Sequence, residues 1–498
     1  MSRRIDQASW DRLFARTAAS GRPLQARLRE MVVSAITEGW LGADTPLPSS
    51  RQLAKNLGVA RNTVLLAYQQ LVDEGVLEAR ERSGYFVRPG GQDLPPAQGV
   101  HPQPAGSVDW AKRLTIHPGD QRNIAKPADW LNFPYPFIYG QVDPTLFPIN
   151  DWRECARQAL SVLEIRGWAA DLVDGDDPEL VEQIRTRILP RRGIWAASDE
   201  IMITLGAQQA LFLLAELLVS PGMVVGVEEP GYPDARNIFS LKSAELKTLP
   251  VDENGVDPDS LPPDCRFLFL TPSRQCPTGV RLSKARRERL LACAEQRDMI
   301  IIEDDFESNF GLSEKASTAM RGMDANGRVL YVGSLSKTLA PGLRVGYIVA
   351  PPAIVREARA LRRLMLRHPP TNNQRALALF LALGHFDRLL RKNIDVLAER
   401  AAVMRTAMER YLPSSVVKCG LGGSSVWVEG PDGLDSRALA IAAKQAGVLI
   451  EPGDVFFNGD HPPRHHYRLG FAAIPTTRIE AGIRILGEIA ASLNDSRP

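Results

Sequence analysis

The chain has 498 residues, of which 44% are hydrophobic and 24% charged. That composition is ordinary for a globular protein and excludes a disordered, collagenous or rod-like chain, while the length exceeds the ~150 residues of a single typical domain. Net charge is only +2, yet the first 90 residues hold 13 Lys and Arg against 9 Asp and Glu, a basic end that suits an anionic partner.

No apolar run approaches the ~20 residues that span a bilayer. The opening MSRRIDQASW lacks the apolar core of a signal peptide, so the expectation is a cytoplasmic protein without a membrane partner. Cys155, Cys265, Cys276, Cys293 and Cys419 are scattered, with no C-x-x-C pair. They predict reduced thiols rather than a disulfide framework or a zinc site.

Residues 23–37 place Leu24, Leu28, Met31 and Ala35 on one helical face. Ser49 then stands as an N-cap with Gln52 three residues on. Leu53 and Leu57 face inward, and Gly58 supplies a turn. A second helix starts near Ala60, with Val64, Ala67, Tyr68 and Leu71 on one face and Gly75 as its stop. Two short helices joined by a glycine turn make a helix-turn-helix. Arg61, Asn62 and Thr63 lie at the start of its second helix, where side chains reach base edges and phosphates from the major groove. VLEARERSGYFV reads as two strands around Arg82, Ser83 and Gly84, a wing.

Residues 88–126 are rich in Pro, Gly and Gln without apolar periodicity, which predicts a flexible linker. It parts a module at 1–87 from a block at 127–498. In that block IMITLG, MVVGVEEPGY, FLFLTPS, MIIIEDD and VLYVGSLSK are short apolar strands followed by helical patterns. They predict a parallel sheet covered on both faces, with ligands beyond the strand ends.

The residues with chemistry fall at those ends. Gly206-Ala207-Gln208 opens a helix whose free amides can form an anion cup, or whose small residues can serve only helix–strand packing. Ser334, Ser336, Lys337 and Arg344 combine hydroxyls, an amine and a guanidinium after one strand, which suits a phosphorylated aldehyde held as a Schiff base. In Glu303-Asp304-Asp305 a carboxylate at a strand end can face a protonated pyridine nitrogen, or can serve as a helix cap or an arginine's partner. Arg468, between apolar residues of YRLGFA, can grip a carboxylate in a fork. His465 and His466 lack a third ligand at suitable spacing, so no metal is expected.

The string LPSSRQLAKNLGVARNTVLLAYQQLVDEGVLEARERSGYFV resembles the winged helix-turn-helix of the GntR regulators. That resemblance implies that Arg51, Arg61, Thr63 and Gly84 meet double-stranded DNA, with Ala60 departing from the common Ser or Thr. SLSKTLAPGLRVGY, EEPGYPDAR, TPSRQCPTG and IIEDDFES together resemble fold-type I aminotransferases. A GntR-like head on such a block resembles the MocR subfamily of bacterial regulators. The fold implied is a mostly α winged helix-turn-helix plus a large α/β pyridoxal-phosphate-dependent transferase fold.

By position, the resemblance implies that Lys337 forms the internal aldimine with pyridoxal 5′-phosphate and that Asp304 faces its ring nitrogen, a one-residue register error away from Glu303 or Asp305. Tyr232 would stack on the ring, with Ala207, Gln208, Ser334, Ser336 and Arg344 around the phosphate and Arg468 receiving an effector carboxylate. A homodimer reading repeated half-sites is implied as well. The expected function is transcription regulation in which an amino compound forms an external aldimine and alters promoter binding. The alternatives are a working aminotransferase, or a regulator sensing the cofactor itself.

Two donors to the cofactor's phenolic oxygen are missing. Cys276 stands for the Asn of an N-P-x-G string, and Phe306 for a Tyr after the aspartate. Arg274 or Gln275 could substitute. Their loss weighs against efficient proton shuttling more than against binding.

Overall fold

The computed structural model describes residues 7–17, 23–80, 83–89, 108–307, 318–417 and 423–495. The chain divides into two compact units, 1–114 and 115–498.

In the first unit, helices Gln7–Arg16, Leu24–Thr37, Ser50–Leu57 and Arg61–Asp73 pack with a hairpin of Leu77–Arg80 and Gly84–Val87. Ser49 Oγ accepts the Gln52 N–H at 3.2 Å. The Gln52 side chain bonds Asn56 Oδ1 at 2.8 Å instead of returning to the cap, so only half of a capping box forms. Gly58 ends the helix at φ 67°, in the left-handed region where glycine meets no Cβ penalty. Met31, Leu53, Val64, Tyr68 and Leu71 share one core with Trp10 and Leu13. Those last two come from the Gln7–Arg16 helix, which the sequence pattern did not single out. In the hairpin Arg80 pairs with Gly84, and Arg82 of the expected wing tip lies outside the described residues.

The second unit is built on an eight-stranded sheet. Its strand order is Ile201–Thr204, Gly346–Val349, Val329–Ser334, Ile300–Asp305, Phe267–Leu270, Val224–Glu229, Glu245–Asp252 and Gly255–Val256. All five strands read from apolar runs are present. The sheet is mixed rather than purely parallel, because Gly346–Val349 runs antiparallel to both neighbours. The stretch between Ser334 and Gly346 holds only the four-residue helix Ser336–Leu339 and a single turn. A parallel crossover needs roughly a dozen residues or more, usually with a full helix. Apolar clusters cover the sheet, which is why its strands read as continuous apolar runs.

A smaller antiparallel sheet follows, with strands Val416–Val417, Ser425–Glu429, His466–Gly470 and Glu451–Pro452. Helices His385–Tyr411 and Thr476–Asp495 pack against it. Residues 115–126, expected in the linker, belong to the second unit. Gln121 and Arg122 hydrogen-bond Asn237, Phe457 and Gly459 there. Among the described residues no helix is long and apolar enough to cross a membrane.

Leu53 is fully buried in the core of the first unit. Leu53→Ala should remove about 2–5 kcal/mol from that unit. Chemical denaturation should show an earlier first transition, and the transition of the large unit should stay in place.

Candidate functional site

The C-terminal ends of the central strands converge on one cavity of about 420 Å³. Ala207, Gln208, Tyr232, Asp304, Ser334, Ser336, Lys337, Arg344 and Arg468 all line it. So do Cys276 and Phe306, with Tyr139 from the aromatic segment WLNFPYPFIYG, which the sequence offers as pocket-shaping, and Ile124, Asp234 and Pro341, which it did not single out.

Lys337 follows the strand Val329–Ser334 on the short helix Ser336–Leu339. Its Nζ lies 3.8 Å from the Tyr139 ring centre and 5.0 Å from that of Phe306. Burial pushes its pKa down to about 8; Glu307 opposes this, and Lys126 and Arg468 add to it. A lysine in this setting is neutral, and so nucleophilic, in a larger fraction near physiological pH than a solvated lysine.

The register of the three acids is decided by the pleat. Side chains alternate along a strand, so Glu303 and Asp305 of Ile300–Asp305 share a face opposite Asp304. Glu303 accepts the N–H groups of Met320 and Arg321 at 2.9 Å. Asp305 accepts from Arg192 Nε and from Tyr331 Oη, both at 2.7 Å. Asp304 alone lines the cavity, and its buried Oδ1 has no hydrogen-bond partner. Burial raises its pKa to about 7, partly offset by Lys337. A cationic N–H donor is what such an oxygen lacks.

At the other end of the cavity, helix Ala207–Leu218 presents its first turn. Those amides have no intrahelical acceptor and favour an anion. Gly206 sits at φ 79°, and a Cβ there would come within 3.0 Å of Arg344 Nη2. Arg344 itself holds a left-handed φ of 51° and donates to the Leu205 carbonyl at 2.9 Å. At Gly346 a Cβ would meet the Gly206 backbone at 2.6 Å, so only glycine lets this strand pass the anion cup. Ser336 Oγ accepts the Val345 N–H at 2.5 Å and donates to the Val345 carbonyl at 3.1 Å. Its hydroxyl proton is thus engaged by the loop, whereas Ser334 stands at the cavity wall.

Tyr232 Oη lies 2.9 Å from Gln208 Oε1 and 3.0 Å from Asp234 Oδ2, tethering the aromatic ring beside the cup. Burial pushes the Cys276 thiol up to about 11, so it remains neutral. Gln275 is no substitute donor: its amide bonds the Pro230 and Cys276 carbonyls at 2.7 Å and accepts from Thr278. Arg274 is held 3.3 Å from Glu307, and neither residue lines the cavity.

Arg468 lies on the strand His466–Gly470 of the smaller sheet and is 1% exposed. Its Nε donates to Glu451 Oε2 at 2.8 Å, its Nη1 lies 3.8 Å from Cys276 Sγ, and its Nη2 has no hydrogen-bond partner. The terminal fork is therefore available to an oxyanion. The expectation that His465 and His466 lack a third ligand is not met: Glu429 on the paired strand brings a carboxylate, and the three groups' ligand atoms lie within 4.8 Å of one another. Glu429 oxygens are 3.5 Å from His465 Nε2 and 4.0 Å from His466 Nε2.

In the first unit Arg51, Arg61, Asn62 and Gly84 are exposed and Thr63 is half-buried. Arg61 Nε lies 3.5 Å from Ser50 Oγ, so the starts of both helices of the motif present their polar residues together.

Residues 142–486 match the family of aminotransferase class I and II, and residues 24–87 match the bacterial regulatory proteins of the gntR family. The chain is 44% identical to the HTH-type transcriptional regulator TauR of Rhodobacter capsulatus, over 92% of this chain and 95% of that one. It is 32% identical to the probable rhizopine catabolism regulatory protein MocR of Rhizobium meliloti, over 95% of each. Among solved structures it is similar to LysN, the α-aminoadipate aminotransferase of Thermus thermophilus complexed with N-(5′-phosphopyridoxyl)-L-leucine. That match has a TM-score of 0.71 and 28% identity, over 78% of this chain and all of that one.

The depressed pKa of Lys337 sets a pH dependence. The neutral amine attacks an aldehyde and the ammonium does not. Capture of pyridoxal 5′-phosphate by cofactor-free protein, followed by stopped-flow absorbance, should accelerate as pH rises through about 8 and level off above it.

Proposed function

The chain belongs to the aminotransferase class I and II family and is a transcriptional regulator with a gntR-type DNA-binding unit, and on that premise we propose that its cavity senses an amino compound and adjusts promoter binding. One observation carries this reading. The desolvated Lys337 amine and the unpartnered Asp304 oxygen line one cavity with an anion cup, in a chain that also bears a DNA-reading helix.

Pyridoxal 5′-phosphate fits that set of groups, and when bound it supplies an aldehyde with which primary amines condense. The first-turn amides of Ala207 and Gln208, with Ser334 and Arg344, would hold the phosphate. Ser336 braces the loop through Val345. Asp304 would serve the ring nitrogen and balance its proton, and Tyr232 would flank the ring. Lys337 would supply the amine at the aldehyde end. Arg468 would seat the acid group of an incoming amine on its terminal nitrogens, because Glu451 already occupies Nε. Effector binding shifts DNA affinity only by its differential affinity for the two conformations of the protein. Couplings of this kind are typically 1–3 kcal/mol, roughly 5- to 150-fold.

The side chains favour sensing over turnover. Phe306 has no hydroxyl and Cys276 is a weak, neutral donor, so protons are relayed poorly around the aldehyde end. Exposed Leu160, Val162 and Leu163 form an apolar run that supports a homodimer. Two DNA-binding units would then read repeated half-sites in double-stranded DNA. Action on the chromosome places the protein in the bacterial cytoplasm.

Holo-protein titrated with a panel of amino acids and amines should show a shift of the cofactor's absorption band that persists after a keto acid is added. The same compound should change DNA affinity in a fluorescence anisotropy assay. Bleaching that the keto acid reverses would instead give the lead to the aminotransferase reading.

Arg61→Ala should weaken binding to the specific promoter by roughly 1–3 kcal/mol and leave the cofactor's absorption unchanged. Concurrent loss of cofactor would contradict the division of labour between the two units.

A further inference from the structure

The segment that brings the chain into the large unit is itself part of the cavity. Ile124 lines the cavity wall. Arg122, two residues earlier, donates to the carbonyls of Phe457 and Gly459, the latter at 2.6 Å. Asn237 donates to the Arg122 carbonyl at 3.1 Å and to Asn123 Oδ1 at 2.7 Å. Two residues beyond Ile124, Lys126 reaches inward. Its Nζ donates to the Tyr139 carbonyl and lies 3.7 Å from Glu451 Oε1. A Cβ on Gly140 would come within 3.1 Å of Lys126 Nζ and 3.6 Å of Lys337 Nζ, so the two amines are near neighbours.

One carboxylate on this side of the cavity is shared. Glu451 serves two cations, Arg468 through Oε2 and Lys126 through Oε1. Glu307 pairs with Arg274 and accepts from Ser424, and Asp234 accepts from Tyr232. Both cations also face the Tyr139 ring, Arg468 at 4.1 Å and Lys126 at 5.8 Å. Arg468 is buried, and a buried guanidinium with a nitrogen left unserved is costly unless an anion joins it, while the Lys126 side chain is partly exposed and can move toward that anion. The unpartnered Arg468 Nη2 marks where such an anion belongs.

We propose that Lys126 is a second cationic contact for the acid group of the effector, and that residues 121–126 pass its binding on to the chain leading to the DNA-binding unit. This rests on the reading of the cavity as an effector site. An acid group on the Arg468 fork competes with Glu451 for Lys126 and draws on the same ammonium. Lys126 is four residues from Arg122, so a change in its position acts directly on the segment anchored at Phe457 and Gly459. The segment by which the chain enters the large unit then carries a residue that touches the ligand.

The test uses full-length holo-protein with β-alanine and n-propylamine, a matched pair with and without an acid group. Wild-type protein should respond to β-alanine at lower concentration, read from the cofactor's absorption band, and β-alanine should shift its DNA affinity. Lys126→Met should lose about tenfold or more of the preference for β-alanine and lose the DNA response. Lys126→Arg should restore both, and Lys126→Gln provides a second charge-free variant should Met disturb folding. A charge-free variant with wild-type preference and wild-type DNA response overturns the proposal and leaves the effector site standing. Wild-type protein without preference for β-alanine, with Arg468→Met equally indifferent, removes the acid-receptor reading of the cavity itself.

Discussion

A primary amine in a low-dielectric wall sheds its proton more readily than in water, because burial solvates the ammonium poorly. The large unit is organised to hold such an amine at Lys337 without neutralising it. Each acid near it is engaged elsewhere: Asp305 by Arg192 and Tyr331, Glu307 by Arg274 and Ser424, and Glu451 by Arg468. Asp304 is the exception, lining the same cavity with an oxygen that no protein donor serves. The outcome is a cleft whose unmet needs are complementary: an amine without a counter-ion, an acid without a donor, and a helix terminus without an anion.

The same economy explains the loop around the anion cup. Gly206 and Gly346 let two backbones pass within van der Waals distance, and Arg344 accepts a left-handed backbone to reach the Leu205 carbonyl. Strain of this kind persists where the surrounding structure over-determines it. Here the strands on either side do so, Val329–Ser334 and Gly346–Val349, paired from Tyr331 to Val349 through Ser334 to Gly346.

The two units have separate cores. The helix-turn-helix is held by Trp10, Met31, Leu53, Tyr68 and their neighbours, the cavity by strands far along the chain. A regulator built this way needs a physical route between its parts. The proposed route begins at the anchored segment carrying Ile124 and Lys126.

Much of this was legible in the sequence because it depends on short-range periodicity. The 3.6-residue spacing of Val64, Ala67, Tyr68 and Leu71, the apolar runs ending in glycine or acid, and the Ser-Leu-Ser-Lys string are local patterns, and local backbone preferences realise them. The Gln7–Arg16 helix escaped notice because its apolar face is short, Trp10 and Leu13 with Phe14 partly buried beside them. Three consecutive acids at 303–305 could not be told apart by sequence, since only the pleat and the partners on each face distinguish them. Likewise the pairing of Arg468 with Glu451, the ring of Tyr139 over Lys337, and the approach of Lys126 depend on strands and segments 17 to more than 300 residues apart. Such contacts are decided by how packed layers bring distant residues together, and the Arg468 nitrogen left without a partner exists only after that packing is complete.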